Sequence, residues 1–189
     1  MEKTAVQKLA GALKVLVTIT LVCNLVALLL VPGMSLMKGP EELLALTPYE
    51  NPLEVPLRVG IAFVLSWGWV WTAGVYEVVL ALFLLFCGIC TAVILWQGRR
   101  GLGTILTGAP FRAENGVSLR RAAVCCFLIA AAALARVVWG LFYYGSVAPL
   151  LTYNALFVPI FILGGLLCLV MSALFRQAAE LKAENDLTI

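Results

Sequence analysis

The chain has 189 residues, of which 63% are hydrophobic and 12% charged, with no histidine and a net charge of +3. Soluble domains are about 45–50% apolar and about 25% charged, so this composition predicts a membrane protein and excludes a disordered chain, a secreted disulfide scaffold or a soluble enzyme. The small net charge argues against nucleic-acid binding, and the lack of histidine excludes histidine-ligated haem and every Ser-His or Cys-His nucleophile pair.

The first predicted span is residues 15–34. Val15 to Val31 is a mainly apolar run without a charge, long enough for a membrane-spanning helix and too long for the core of a secretory signal. No Ala-x-Ala cleavage site follows it, so we expect the helix to be retained. The next segment, residues 35–73, is predicted to be external, and it contains three tryptophans of the kind that concentrate at membrane interfaces: Trp67, Trp69 and Trp71.

The second predicted span lies within an apolar stretch, residues 59–97, that only Glu77 interrupts. One helix needs about 20 residues to cross a bilayer, so this stretch has room for one span or two. Charge favours one, because the lysines of the N-terminus and the arginines of residues 98–121 should both be cytoplasmic. That arrangement requires an even number of crossings between them, and we place the second span at residues 74–97.

The third and fourth predicted spans are residues 122–144 and 154–175, followed by a cytoplasmic tail at residues 176–189. The segments assigned to the cytoplasm hold ten Lys and Arg residues, and the external segments hold two. This bias predicts an all-α bundle of four transmembrane helices in the cell membrane. Both termini would be cytoplasmic, with residues 98–121 and the tail forming a small cap.

The six cysteines all fall inside the predicted spans, where a free thiol usually packs as a small hydrophobic group. Cys87 and Cys90 have the spacing of a redox pair, but they lie in mid-helix among apolar residues rather than at a helix N-terminus. Packing is therefore the favoured interpretation, with a redox or metal role as the alternative.

Two opposite charges are predicted at similar depth within the spans, Glu77 on the second helix and Arg136 on the third. Arg136 lies roughly 22 Å along its helix from Arg121, in the outer third of the bilayer. A charge within hydrocarbon must be paired or hydrated. The alternatives are a structural ion pair, an Arg136 side chain that reaches the outer head groups, and an outward-facing polar site that Asn24 and Asn154 join.

The cytoplasmic segments contain two motifs that resemble those of a known family. The loop reads Pro110-Phe111-Arg112-Ala113-Glu114-Asn115 and then Leu119-Arg120-Arg121-Ala122, and the chain ends Leu181-Lys182-Ala183-Glu184-Asn185-Asp186-Leu187-Thr188-Ile189. With the four-span topology, these motifs resemble the domain of unknown function 2975 family, which consists of small bacterial four-helix membrane proteins. That family has no established activity, and its members are often encoded beside a small helix-turn-helix regulator. The resemblance therefore implies a membrane component of a regulatory pair.

The same segments mix charges with a few apolar anchors, as a protein-binding surface does. Leu174, Phe175 and Leu181 share a helical stripe, so the last helix is expected to continue as an amphipathic tail. We also expect Glu114, with Arg120 or Arg121, to cap the third helix. The candidate docking residues are Pro110, Phe111, Glu114, Asn115, Leu119, Arg120, Phe175, Leu181, Leu187 and Ile189. The alternative is a structural cap without a partner.

These observations favour a regulatory or sensory membrane protein that docks a cytosolic partner such as a small helix-turn-helix regulator. The alternative is a small-molecule or ion transport component with a polar site at Glu77 and Arg136. No catalytic group is apparent, so neither an enzyme nor a cofactor is expected. The expected partners are the lipid bilayer and the cytosolic DNA-binding regulator, with homo-oligomerisation left open and no direct contact with nucleic acid.

Overall fold

The computed structural model describes residues 5–36, 60, 64–108 and 112–187. Over these residues the chain is helical and contains no strand. Its long helices are α1 (Ala5–Leu36), α2 (Val75–Leu106), α3 (Ala113–Tyr144) and α4 (Tyr153–Leu187), with short 3-10 helices at Val70–Thr72 and Ala148–Leu151. All four long helices are long and apolar enough to cross a membrane. The predicted all-α class with four spanning helices is confirmed.

The outer surfaces of these helices are apolar. Large aliphatic and aromatic side chains are exposed along every long helix, among them Leu16, Ile89, Leu134 and Leu167. A water-soluble bundle would instead carry polar residues on those faces. The exposed apolar faces and the helix lengths together define a multi-pass membrane protein.

The helices extend past the predicted spans. α2 continues to Leu106 and α3 begins at Ala113, so most of the loop predicted at residues 98–121 is helical. A helix satisfies its own backbone hydrogen bonds and need not end where the apolar sequence ends. Arg120 and Arg121 consequently lie well inside α3, and the expectation that they cap its start is wrong. The continuation of α4 beyond residue 175 is confirmed, since that helix ends at Leu187.

The chain divides into two compact units, one formed by Met1–Asn24 with Ile89–Ile189 and the other by Leu25–Gly88. We call them the larger and the smaller unit. Each has its own packing and is described separately.

In the larger unit, α3 packs closely against α4 along a face of small residues. Ser172 donates a buried 2.7 Å hydrogen bond to the carbonyl of Gly116, and a Cβ added at Gly116 would lie 3.1 Å from the Ser172 carbonyl oxygen. Near mid-helix, the Phe127 ring lies against Gly165. α3 is followed by Gly145 as its C-cap residue, whose φ of 58° is a left-handed conformation that glycine adopts without strain.

Small residues of α3 differ in their burial. Ala130, Ala133 and Gly140 are buried, whereas Ala131 and Ala135 are exposed. Only the first three lie on the face turned towards the bundle, because helical neighbours recur every three or four residues.

In the smaller unit, the end of α1 packs against the residues that precede α2. Val70 is 1% exposed and forms a core with Val31 and Ala81. The indole of Trp67 donates a 3.0 Å hydrogen bond to the carbonyl of Leu29, just before Pro32. Proline has no N–H and disturbs the backbone ladder of the preceding turn, so nearby carbonyls become available to other donors.

Candidate functional site

The polar cap is the part of the larger unit formed by residues 97–106 of α2, 113–121 of α3 and 176–187 of α4. Two hydrogen bonds join α2 to α3 here. Arg100 Nη2 lies 3.3 Å from Glu114 Oε2, and Asn115 Nδ2 donates a 2.7 Å hydrogen bond to Thr104 Oγ1. The cap is thus an assembled end of the helix bundle rather than a loop.

The ion pair between Arg100 and Glu114 lies at the surface, with side chains 54% and 64% exposed. Exposed pairs contribute about 0–1 kcal/mol to stability, so this pair adds little to the fold. Glu114 is in the first turn of α3, where a carboxylate also interacts favourably with the helix dipole. That part of the predicted capping arrangement is present.

Asn115 lies beneath the surface of the cap. It is 5% exposed, and its side chain reaches Thr104, whose own hydroxyl donates to the carbonyl of Gly101. A partner protein would not contact such a side chain directly. We therefore assign Asn115 to positioning α2 against α3.

Beside Asn115 the four long helices line a partly open cavity of about 350 Å³, here called the cap cavity. Every helix contributes to its wall, and the lining residues within the described chain carry no charge. They include Leu13 of α1, Gln97 and Ile105 of α2, Leu119 of α3 and Phe175 of α4. The structure thus brings together three predicted docking residues, Asn115, Leu119 and Phe175, around this partly open cavity.

Gln97 is the unusual residue of this cavity. It is 9% exposed, and within the described part of the chain its Oε1 atom is buried without a hydrogen-bond partner. A buried unsatisfied acceptor costs about 1–3 kcal/mol. This role was only weakly indicated by sequence, because Gln97 marked the end of a predicted span and a polar residue is ordinary there.

A second concavity, the basic groove, is lined by Lys14, Trp96, Arg99, Arg100 and Gly103. The guanidinium carbon of Arg99 lies 5.7 Å from the centre of the exposed Trp96 ring, within range of a cation–π contact. Lys14 belongs to α1 and the arginines to α2. The groove therefore concentrates positive charge next to an aromatic side chain of the type found at membrane interfaces.

Two further docking candidates lie on the outside of the cap. Arg120 is exposed, and Leu181 is 64% exposed although it is apolar. Leu187 ends α4, but its side chain is outside the described part of the structure. Pro110, Phe111 and Ile189 also lie outside the described residues.

Of the predicted intramembrane polar residues, the structure joins Arg136 to Asn154. Arg136 Nη1 donates a 3.1 Å hydrogen bond to Asn154 Oδ1, linking α3 to the start of α4. Glu77 belongs to the smaller unit, where it is half-buried in the first turn of α2 beside Gly74. Asn24 is half-buried on α1. The pairing of Glu77 with Arg136 stays a prediction.

The six cysteines are free thiols. Across the residues that the structure describes, no three potential metal ligands of the Cys, Asp and Glu types are grouped closely enough to hold an ion. The favoured interpretation of the cysteines as packing residues fits the burial of Cys90 and Cys126.

The fold and the polar cap define the class: a multi-pass α-helical membrane protein with a structured polar end. Residues 46–189 match the family described as "Protein of unknown function (DUF2975)", so the chain belongs to that family. The resemblance inferred from the loop and terminal motifs is thereby confirmed. The chain matches no curated protein and no solved structure.

Proposed function

We propose that this protein is a regulatory membrane component of the cell membrane whose polar cap lies in the cytoplasm and docks a soluble regulator. The observation that carries the proposal is the helical tail of α4. It continues past the apolar span to Leu187 and presents Leu181, an apolar side chain that is 64% exposed, among charged neighbours. A helix with an exposed apolar residue and a polar remainder is suited to binding in a groove of a partner protein.

The base of the tail is held firmly, which supports a docking role. The buried hydrogen bond from Ser172 to Gly116 fixes α4 against α3 immediately before the tail begins. A tail that starts from a fixed point is partly pre-organised, so less conformational entropy is lost when a partner binds.

The charges of the cap support its cytoplasmic placement. Lys14, Arg99 and Arg100 gather in the basic groove, and Arg120 and Arg121 are exposed on α3. Positive residues next to spans favour the cytoplasmic side, where they also meet anionic lipid head groups. A small helix-turn-helix regulator is the partner that the family resemblance implies.

The test compares two single substitutions in the full-length protein in detergent. Leu181→Glu removes the apolar anchor, and Ala183→Glu adds the same charge on the opposite side of the exposed tail. Burial of a leucine side chain contributes about 1.5–3 kcal/mol. We therefore expect Leu181→Glu to weaken binding of the adjacently encoded regulator about tenfold or more, and Ala183→Glu to change it less than twofold.

Thermal unfolding of both variants serves as the control for folding. Equal binding by the wild type and Leu181→Glu would contradict the docking role of the tail. A large loss of thermal stability in Leu181→Glu, without the same loss in Ala183→Glu, would show that Leu181 is structural.

A further inference from the structure

We propose that the cap cavity is a binding site for a small neutral amphiphile with an apolar body and one hydrogen-bond donor. Gln97 Oε1 is the atom that would accept the donor. The proposal concerns a ligand of the protein itself and does not depend on whether the tail docks a regulator.

The volume and shape of the cavity suit a ligand rather than a packing defect. At about 350 Å³ it falls within the range of about 300–1,000 Å³ that is typical of small-molecule sites. Binding sites in helical bundles are usually formed between helices, and this one receives side chains from all four. Its lining includes Leu13 and Val17 of α1, Leu119 of α3 and Phe175 of α4.

The chemistry of the wall selects an apolar and uncharged molecule. No charged side chain lines the cavity within the described residues, so an ion entering it would lose hydration without gaining a counter-charge. The aliphatic and aromatic wall instead favours hydrocarbon. A phospholipid head group or a free phosphate is excluded on this ground, in contrast to the neighbouring basic groove.

The requirement for a donor follows from Gln97. Its Oε1 is buried against an apolar wall and has no partner in the described chain. A carbonyl oxygen can only accept, so the group that satisfies it must carry an O–H or N–H. Asn115 lines the same cavity, but its amide is already bonded to Thr104. Gln97 is therefore the residue that would orient the ligand.

The experiment uses two probes that differ in one donor, para-hexylphenol and its methyl ether para-hexylanisole. Ligands that bind only the folded state raise the unfolding temperature by an amount that increases with the ratio of free ligand concentration to Kd. In detergent-solubilised full-length protein, we expect the phenol to bind about five- to tenfold more tightly than the ether. One hydrogen bond to a buried acceptor accounts for a difference in affinity of this size. In Gln97→Leu the two probes should bind equally.

Filling the cavity gives the matched control. A Cβ added at Gly101 meets no atom closer than Asn115 Oδ1 at 4.0 Å, so Gly101→Leu can place a side chain towards the cavity without a backbone clash. Gly164 has no atom within 4 Å of such a Cβ and does not line the cavity. We expect Gly101→Leu to abolish the thermal shift and Gly164→Leu to retain it.

Phenol and ether partition differently into detergent micelles, so the free concentration of each probe is measured and the affinities are calculated from it. Should Gly101→Leu fail to accumulate, Ile94→Phe enlarges an existing apolar side chain of the same wall. Equal binding of phenol and ether by the wild type would overturn the proposal and indicate that Gln97 is satisfied by water. A thermal shift that persists in the filled variants would place the probe elsewhere and would also overturn it.

Discussion

The amide of Asn115 donates a 2.7 Å hydrogen bond to the hydroxyl of Thr104, and this bond joins α3 to α2 beside the cap cavity. Thr104 in turn donates to the carbonyl of Gly101 in its own helix. The polar cap is therefore ordered by a short chain of hydrogen bonds beneath its surface, and not by the exposed ion pair of Arg100 and Glu114.

Removing the hydroxyl of Thr104 should destabilise the polar cap. In Thr104→Val the buried Asn115 amide loses its acceptor, and we expect the free energy of unfolding in detergent to fall by about 1–3 kcal/mol. Thr104→Ser keeps the hydroxyl and serves as the control, with a change of less than about 1 kcal/mol. Equal stability of Thr104→Val and the wild type would show that the hydrogen bond does not hold the cap together.

Glycine 116 should be required for the contact of α3 with α4. A Cβ there would lie 2.9 Å from Arg176 Cγ and 3.1 Å from the Ser172 carbonyl oxygen. We expect Gly116→Val to force the helices apart and to lower the free energy of unfolding by about 1–3 kcal/mol. Gly164→Val, in open space, should stay within about 0.5 kcal/mol of the wild type. The reverse ranking would contradict the close packing.

Arg136 and Asn154 should be energetically coupled. Hydrogen bonds to charged groups contribute about 1.5–3 kcal/mol, so a double-mutant cycle of Arg136→Gln and Asn154→Ala should give a coupling energy of that order. A second cycle with Thr20→Ala in place of Asn154→Ala is the control, because the Thr20 hydroxyl bonds within α1 to the Leu16 carbonyl. If the changes in unfolding free energy are strictly additive in both cycles, the hydrogen bond between Arg136 and Asn154 contributes no coupling energy.

The proposed orientation predicts the location of two turns. When the chain is truncated after Gly108, between α2 and α3, green fluorescent protein fused at that point should fluoresce. Alkaline phosphatase fused at the same point should be inactive. Fusions after Ser146, between α3 and α4, should show the opposite result, since the positive residues flank the first turn. The same signal at both points would contradict a membrane-spanning α3.

Much of the fold could be predicted because membrane insertion depends mainly on composition. Long apolar runs identified the four helices. The helix ends could not be predicted in the same way. Gln97 and Arg121 marked the limits of the apolar sequence, yet α2 and α3 continue past them. A helix forms its own backbone hydrogen bonds in water as well as in lipid, so it need not end where the apolar residues end.

The candidate site was predicted less completely. Asn115, Leu119 and Phe175 were grouped from the sequence, and all three do line one cavity. They were predicted to form a docking surface, which is inconsistent with the burial of Asn115. Gln97 was not among the predicted site residues. Burial depends on which side of each helix faces its neighbours, and the nearly uniform apolar sequence of these helices gives little information about that.

The class of protein, the number of helices able to span a membrane and the family could all be inferred from sequence, because apolar runs and two short polar motifs are local properties of the chain. The hydrogen bond from Arg136 to Asn154 and the position of Gln97 on the wall of an apolar cavity became evident from the packed helices alone. Those relationships depend on how one helix is rotated against another. In a membrane bundle that rotation is set by close contacts such as Gly116 with Ser172, since lipid and protein core are almost equally apolar and hydrophobicity alone does not distinguish them.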